Sequence, residues 1–288
     1  MQHPFPSMHA AQLIFTQLTN RSSCRADTVS NRFSDRVNAG GLFANKACPS
    51  GSIVFEEYPI GATAVAFFWH ARQYCANCAK PLFPDSCIAC PNNCEDRYCS
   101  SACRERAFEL YHHTLCTATN EPFSQYHQSA LQACNEYYLV AARLLVMFPN
   151  APWLFHFECT PEDHDLDCEH MSRLLRQAIR VKTETAAISS ATLSRTIAML
   201  RVNVLGLRHD DLSVGFALYS TQSLMNHSDT PNCRCVTICG DSRPDNPCLC
   251  GIEALTDIQP DEELTIDYLP HLPCEERIRV LREQYGIG

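Results

Sequence analysis

Between Cys75 and Cys116 the chain reads CANCAKPLFPDSCIACPNNCEDRYCSSACRERAFELYHHTLC, a stretch that holds eight of its 19 cysteines and few aliphatic side chains. A segment this poor in apolar side chains cannot build a core of its own, so it needs metal to fold. Tetrahedral zinc takes four soft ligands, and two ligands separated by two or three residues can come from one turn of backbone. Cys75-x2-Cys78, Cys90-x3-Cys94, Cys99-x3-Cys103 and His112-x3-Cys116 are four such pairs, enough for two zinc ions. Spacing leaves open whether the pairs fill the sites in series or crossed. It also leaves open Cys87, because Cys87-x2-Cys90 is an equally good pair, and His113 beside His112. The bland alternative is a cluster of buried free thiols.

The compartment bears on that choice, since cysteines stay reduced inside cells. The opening residues MQHPFPSMHAAQLIFTQLTN hold a short apolar stretch, Ala10 to Leu18, with no basic segment before it and no small-residue cleavage pattern, which reads against a secretory signal. Arg21, Arg25 and Arg32 among serines resemble a presequence for import into mitochondria, but Asp27 and the weak amphipathicity argue against one. No uncharged apolar run reaches the roughly 20 residues that span a bilayer. The expectation is a soluble protein of the cytoplasm and/or nucleus, without a membrane partner. A net charge of -9 gives no direct nucleic-acid footprint and suits a basic protein partner. With 288 residues, 45% hydrophobic and 19% charged, the chain has ordinary globular composition and room for a sizeable core.

Around the cysteine segment the hydrophobic period changes. Before it, GLFANKACPSGSIVFEEYPI suggests strands through Ile53, Phe55 and Tyr58, with a turn at Pro49-Ser50-Gly51. After it, Pro122 to Phe148 and Glu169 to Leu200 carry apolar residues at helical spacing. From Val214 strand character returns in VGFALY, CRCVTIC, CLCGIEAL and ELTIDYL, with the polar turn GDSRPDNP between the middle two. PCEERIRVLREQYG then predicts a helix with Ile278, Leu281 and Tyr285 on one face and Gly286 at its C-terminal cap. The two C-x-C pairs, Cys233 with Cys235 and Cys248 with Cys250, place each pair on one face of a strand, where cysteine acts as a small apolar residue rather than a third metal site. The order predicts one α+β domain with an inserted finger: a flexible segment over 1–30, a β half over 31–74, the finger over 75–116, a helical region over 117–213 and a second β half over 214–288.

The details YCSSAC, the helical run RERAFELYHH and HTLC resemble the MYND zinc finger, whose pairs are crossed. That resemblance implies one zinc held by Cys75, Cys78, Cys99 and Cys103, a second held by Cys90, Cys94, His112 and Cys116, and peptide docking on the finger. A RING-like ubiquitin-ligase finger is the rival crossed module. Further along, VGFALYSTQSLMNHSDTPNC followed by GIEALTDIQPDEELTIDYL resembles the SET domain of protein lysine methyltransferases that carry a MYND insertion. GGLFANKACPSGSIVFEEYPI looks like the first SET segment, so the halves flank the finger in the family's order from about Asn38 to Gly288. The implied fold is a SET domain β-fold with inserted helices and a two-zinc MYND finger.

The implied activity is methyl transfer from S-adenosyl-L-methionine to a lysine of a histone or other protein. By resemblance Asn226 and His227 hold the cofactor, joined by Gly41, Leu42 and Asn203, while Tyr268 and Tyr285 form the catalytic lysine channel. Each has a plainer reading: a turn for Asn226-His227 or for the glycines, a half-buried strand residue for Tyr268. Asn226-His227-Ser228 is also an N-x-S glycosylation triplet, which the missing secretory signal disfavours. Two features depart from the family. Asp229 stands where a zinc-binding cysteine is common, and the chain stops at Gly288 before the cysteine cluster that shares that zinc. They predict either the loss of a third zinc unit or a piece of a longer chain, and they motivate the alternative of a non-catalytic SET-MYND adaptor.

Overall fold

The computed structural model describes residues 28–35, 37, 39–60, 73–83, 85–148, 157, 167–179, 188–209, 212–238 and 249–287. Most of the expected flexible segment, the polar turn from Gly240 to Pro247, and Cys248 lie outside the described residues. The chain divides into two compact units, one from the described parts of Met1–Ile60, Tyr219–Ile238 and Leu249–Gly288, the other from those of Gly61–Leu218 and Cys239–Cys248. Both helices and sheets are present, as the α+β expectation requires.

The first unit is built on two sheets. With strands numbered in chain order, β1 (Val29–Ser34), β2 (Ala39–Ala44), β8 (Asn226–His227) and β11 (Glu263–Ile266) assemble in the order β1-β2-β11-β8. β11 runs antiparallel to β2, with Leu264 opposite Leu42, and parallel to β8, with Thr265 opposite Asn226 and Ile266 opposite His227. Leu42, Ala44 and Leu264 are fully buried, so one strand face closes on the core while its edges carry polar residues. β3 (Ile53–Glu57), β9 (Cys233–Ile238) and β10 (Leu249–Ala254) form the second sheet in the order β3-β10-β9. β10 is central and buried along nearly its whole length, which explains its unbroken apolar character.

Cys233 and Cys250 are buried in this second sheet, as small apolar residues would be, and no cysteine of β9 or β10 joins a metal-ligand group among the described residues. The turn at Pro49-Ser50-Gly51 forms, with Gly51 at φ +78 in open space. The last helix, Cys274–Tyr285, ends on Gly286 in the left-handed conformation expected of its cap. Its inward face differs from the sequence expectation. Ile278 is 50% exposed, and the face is Arg277, Leu281 and Tyr285 at i, i+4 and i+8. The helix is turned by polar partners of Arg277, which hydrophobic periodicity cannot register.

Among the described residues the second unit holds the finger, four further helices and a hairpin. The finger contains β4 (Ile88–Ala89) paired with β5 (Arg97–Tyr98), then α1 (Ser101–Ala107), whose N-cap Ser100 accepts from Cys103 N. Phe108–His112 continue α1 as one π-helical turn. The apolar period from Pro122 to Phe148 resolves into α2 (Glu121–Gln132) and α3 (Tyr137–Met147), broken where Cys134 takes φ +48 and Asn135 accepts from Tyr137 N. Tyr126 Oη donates to Tyr138 O at 2.7 Å and locks the two together. α4 (Cys168–Ala178) and α5 (Ser190–Asn203) cover most of the second helical stretch, and β6 (Val204–His209) pairs with β7 (Leu212–Leu218). The C-terminal helix of the first unit is α6. No described helix is long and apolar enough to cross a membrane.

Glu136, just before α3, is buried and its Oε1 has no hydrogen-bond partner among the described residues. Burial pushes its carboxyl up to about 7. The fold therefore favours the protonated acid; its stability contribution is whole below the ordinary carboxylate range and is lost as pH rises through about 7. Glu136→Gln should thus unfold later than wild type at about pH 8, by about 1 kcal/mol, and match it at about pH 5. Denaturant midpoints at the two pH values measure this.

Candidate zinc and cofactor sites

In the second unit the ligand atoms of Cys75, Cys78, Cys99 and Cys103 lie within 4.8 Å of one another, and those of Cys90, Cys94, His112 and Cys116 do the same. Pairs one and three share one group, and pairs two and four share the other. In the first, Cys99 Sγ is 3.6 Å from Cys78 Sγ and 3.5 Å from Cys103 Sγ. In the second, His112 Nε2 is 3.3 Å from Cys90 Sγ and 3.5 Å from Cys94 Sγ. Cys87 belongs to neither group.

Local structure explains the selection. Cys90 directly follows β4, Cys99 directly follows β5, and Cys103 lies in the first turn of α1. The π-helical turn adds backbone before His112 and so changes which face that side chain occupies. Asp96 Oδ2 lies 3.1 Å from His112 Nδ1, which leaves Nε2 for the sulfurs; this carboxylate-imidazole pairing orients metal-binding histidines. His113 is exposed, with Nδ1 2.7 Å from Phe108 O. Asn77 Nδ2 points at Cys103 Sγ and Asn92 Nδ2 at Cys116 Sγ, donors that favour thiolates. Burial pushes the Cys116 thiol up, but the Ala118 N–H, the Thr119 hydroxyl and His112 together bring it down to about 7. Three or four thiolates with at most one imidazole, all buried except the half-buried Cys99, fit zinc in closed sites that hold structure rather than catalyse.

The first unit gathers Gly41, Leu42, Asn226, His227, Tyr268 and Tyr285. Leu42 is fully buried, so only its backbone is offered to a ligand. A Cβ on Gly41 would sit 2.8 Å from Glu263 Oε1, 2.9 Å from Asn226 Nδ2 and 3.1 Å from Ser34 Cβ. That crowding is itself a built feature. Asn226 Nδ2 donates to Glu263 Oε1 at 2.7 Å and to Gly40 O at 3.0 Å, while Ser34 Oγ donates to Glu263 Oε2 at 2.9 Å. The amide nitrogen of Asn226 is thus engaged within the protein, and its Oδ1 is the end left to accept from a ligand.

His227 is buried, and its Nδ1 accepts from Tyr268 N at 3.2 Å while Nε2 lies 3.4 Å from Asp229 Oδ1. Tyr268 Oη donates to Met225 O at 2.8 Å, and its ring stands 5.3 Å from the His227 ring and 4.9 Å from the Tyr285 ring. The hydroxyl hydrogen is directed at a carbonyl, and a phenolic oxygen that donates can also accept. Asn203 lies in the second unit, at the end of α5, where its Nδ2 donates to Met199 O at 2.8 Å.

Sequence reasoning missed three side chains that hold this arrangement. Glu263 orients Asn226. Asn232 accepts from Thr265 N at 2.9 Å and donates to Glu263 O at 2.8 Å, stitching the loop after β8 to β11. Glu57 is fully buried, and its carboxylate collects Ser220 Oγ, Thr221 N and Gln222 N, the donors of the turn that leads into Asn226. Burial raises the Glu57 carboxyl above its ordinary range although those donors pull it down. The available signal was an acidic residue at the end of an apolar strand, as in IVFEE.

A SET domain family model matches residues 40–269, well over half of the chain. Protein-lysine N-trimethyltransferase SMYD5 from Gallus gallus is 24% identical over 88% of this chain and 83% of its own. The Homo sapiens protein of that name is 23% identical over 90% of this chain and 84% of its own. Histone-lysine N-methyltransferase SMYD3 from Mus musculus is 44% identical over a shorter stretch, 25% of this chain and 15% of its own.

Proposed function

Because the chain belongs to the SET domain family, we propose that it is a protein-lysine N-methyltransferase that draws its methyl group from S-adenosyl-L-methionine. The observation that carries the proposal is the packed cradle of Gly41, Asn226 and Glu263, with His227 next to Asn226 on β8 and Tyr268 two residues past the end of β11, all inside the matched span. The cofactor would supply a methyl group on a sulfonium, open to in-line attack by an amine. Asn226 Oδ1 would accept from its ammonium, and the side-chain-free backbone at Gly41 would let it approach closely.

Lysine at its ordinary pKa near 10.4 is protonated at neutral pH, so the site must take it in a desolvated channel and hold it deprotonated. Tyr268 and Tyr285 would wall that channel, and the Tyr268 oxygen would accept a hydrogen bond from the incoming amine. Positioning supplies most of the rate in such a displacement. We also assign the finger a protein-docking role, in keeping with zinc sites that have no open position.

The departure at Asp229 favours a second reading, a SET-fold adaptor without turnover. Calorimetry separates the two, because the adaptor need bind no S-adenosyl-L-methionine. The decisive experiment is mass spectrometry of a histone and lysine-rich protein mixture incubated with cofactor. Wild type should add methyl groups, and Tyr268→Phe should lower the rate at least about tenfold, the worth of one well-placed hydrogen bond. Absence of methylation with every protein tried would sink the enzyme reading.

A further inference from the structure

The C-terminal helix α6 is held by little apolar surface, since Leu281 is the one buried side chain among its described residues. Its inward face instead begins with a charge. Arg277 Nη1 lies 2.9 Å from Asp267 Oδ2, and Nη2 pairs with Asp229 Oδ1. Asp267 directly precedes Tyr268, and Asp229 is two residues after His227. Both carboxylates approach the His227 ring, Asp229 at 3.4 Å from Nε2 and Asp267 at 3.8 Å from Nδ1. One guanidinium therefore ties together the two segments that carry His227 and Tyr268. Two helical turns further along the same face, Tyr285 meets the Tyr268 ring at 4.9 Å.

We propose that Arg277 is a positioning residue of the methyl-transfer site, a two-carboxylate latch that sets where α6 lies and so how Tyr285 meets Tyr268. The inference rests on the methyltransferase reading for its catalytic consequence, though not for the latch itself. It also gives Asp229 a use. Where the family resemblance leads one to expect a metal ligand, this chain has an anion that grips the last helix directly. The arms differ in shielding: Asp267 is 18% exposed and Arg277 23%, whereas Asp229 is 80% exposed. The Asp229 arm is therefore more open to screening by salt than the Asp267 arm. A lysine would keep the charge but could not span both carboxylates, because it lacks the planar fork.

The test compares the full chain with Arg277→Gln and Arg277→Lys, reading hydrogen exchange over residues 274–285, cofactor affinity by calorimetry, and kcat and KM for a methylated protein substrate. In Arg277→Gln the exchange of α6 should rise at least about tenfold and kcat should fall about tenfold, while cofactor affinity changes less than about threefold; Arg277→Lys should lie between. Unchanged exchange in Arg277→Gln overturns the latch. Faster exchange with unchanged kcat overturns the positioning role, and so does failure of both variants to fold, since α6 would then be a folding element. If wild type methylates nothing, the methyltransferase reading fails, and the exchange data still decide the latch.

Discussion

Metal analysis of the purified chain should return about two zinc ions, Cys103→Ser should return about one, and Cys87→Ser should still return about two. The expectation follows from the tetrads, to which Cys103 belongs and Cys87 does not. The effect on folding should be large. Apart from cysteines, the finger's buried apolar side chains among the described residues are Ala79, Tyr98, Ala107, Tyr111 and Leu115, too few to order it without cross-links. Structural zinc contributes about 10–16 kcal/mol of apparent binding free energy in isolated fingers, so a strong chelator should unfold this segment. Loss of protection in hydrogen exchange over residues 75–116 would report it. A chelated chain that keeps that protection would show that packing alone suffices.

Gly41→Ala should weaken S-adenosyl-L-methionine binding at least about tenfold, which is about 1.4 kcal/mol, and destabilise the fold by about 1–3 kcal/mol. The new methyl group would stand 2.8 Å from Glu263 Oε1 and 2.9 Å from Asn226 Nδ2, closer than such atoms can be. Glu263 is tethered by Ser34 and Asn226, so the amide of Asn226 is the group that has to move. Gly40→Ala is the matched control, because its nearest neighbour would be Asn31 Oδ1 at an ordinary 3.5 Å. Calorimetry and denaturant unfolding on both variants measure the contrast. Equal cofactor affinity in the two would remove Gly41 from the cradle.

What could be read from the sequence was local. Zinc pairs are legible because one turn of backbone supplies two ligands, and Asn226-His227 and Tyr268 are legible because each lies in a short recognisable motif. The choice of Cys94 over Cys87 needed more than spacing: it depends on where β4 and β5 deliver Cys90 and Cys99. Side chains that act through distant partners were invisible. Glu57 serves a turn 164 positions away at Thr221, and Glu263 meets Ser34 across 229. Ile278 misled because hydrophobic periodicity counts apolar residues, while α6 is turned by an ion pair. The break between α2 and α3 falls at Cys134, a residue type that gives no warning of φ +48. Asn203, which the resemblance assigns to the cofactor, lies in the second compact unit with its amide bonded one helical turn back to Met199 O.

The first unit is assembled from three separated stretches of chain, whereas the second is nearly continuous. During synthesis the finger and helices are therefore complete while β1 and β2 still wait for β11, the strand that pairs with β2. Until β11 emerges, β2 has no partner on its second edge and Leu42 lacks Leu264 opposite it, and closing that long loop is the slow, entropically costly step. Ribosome stalling or truncation ahead of Glu263 would leave a fragment with a folded, metal-bound middle and a sticky beginning, the kind of intermediate that chaperones hold.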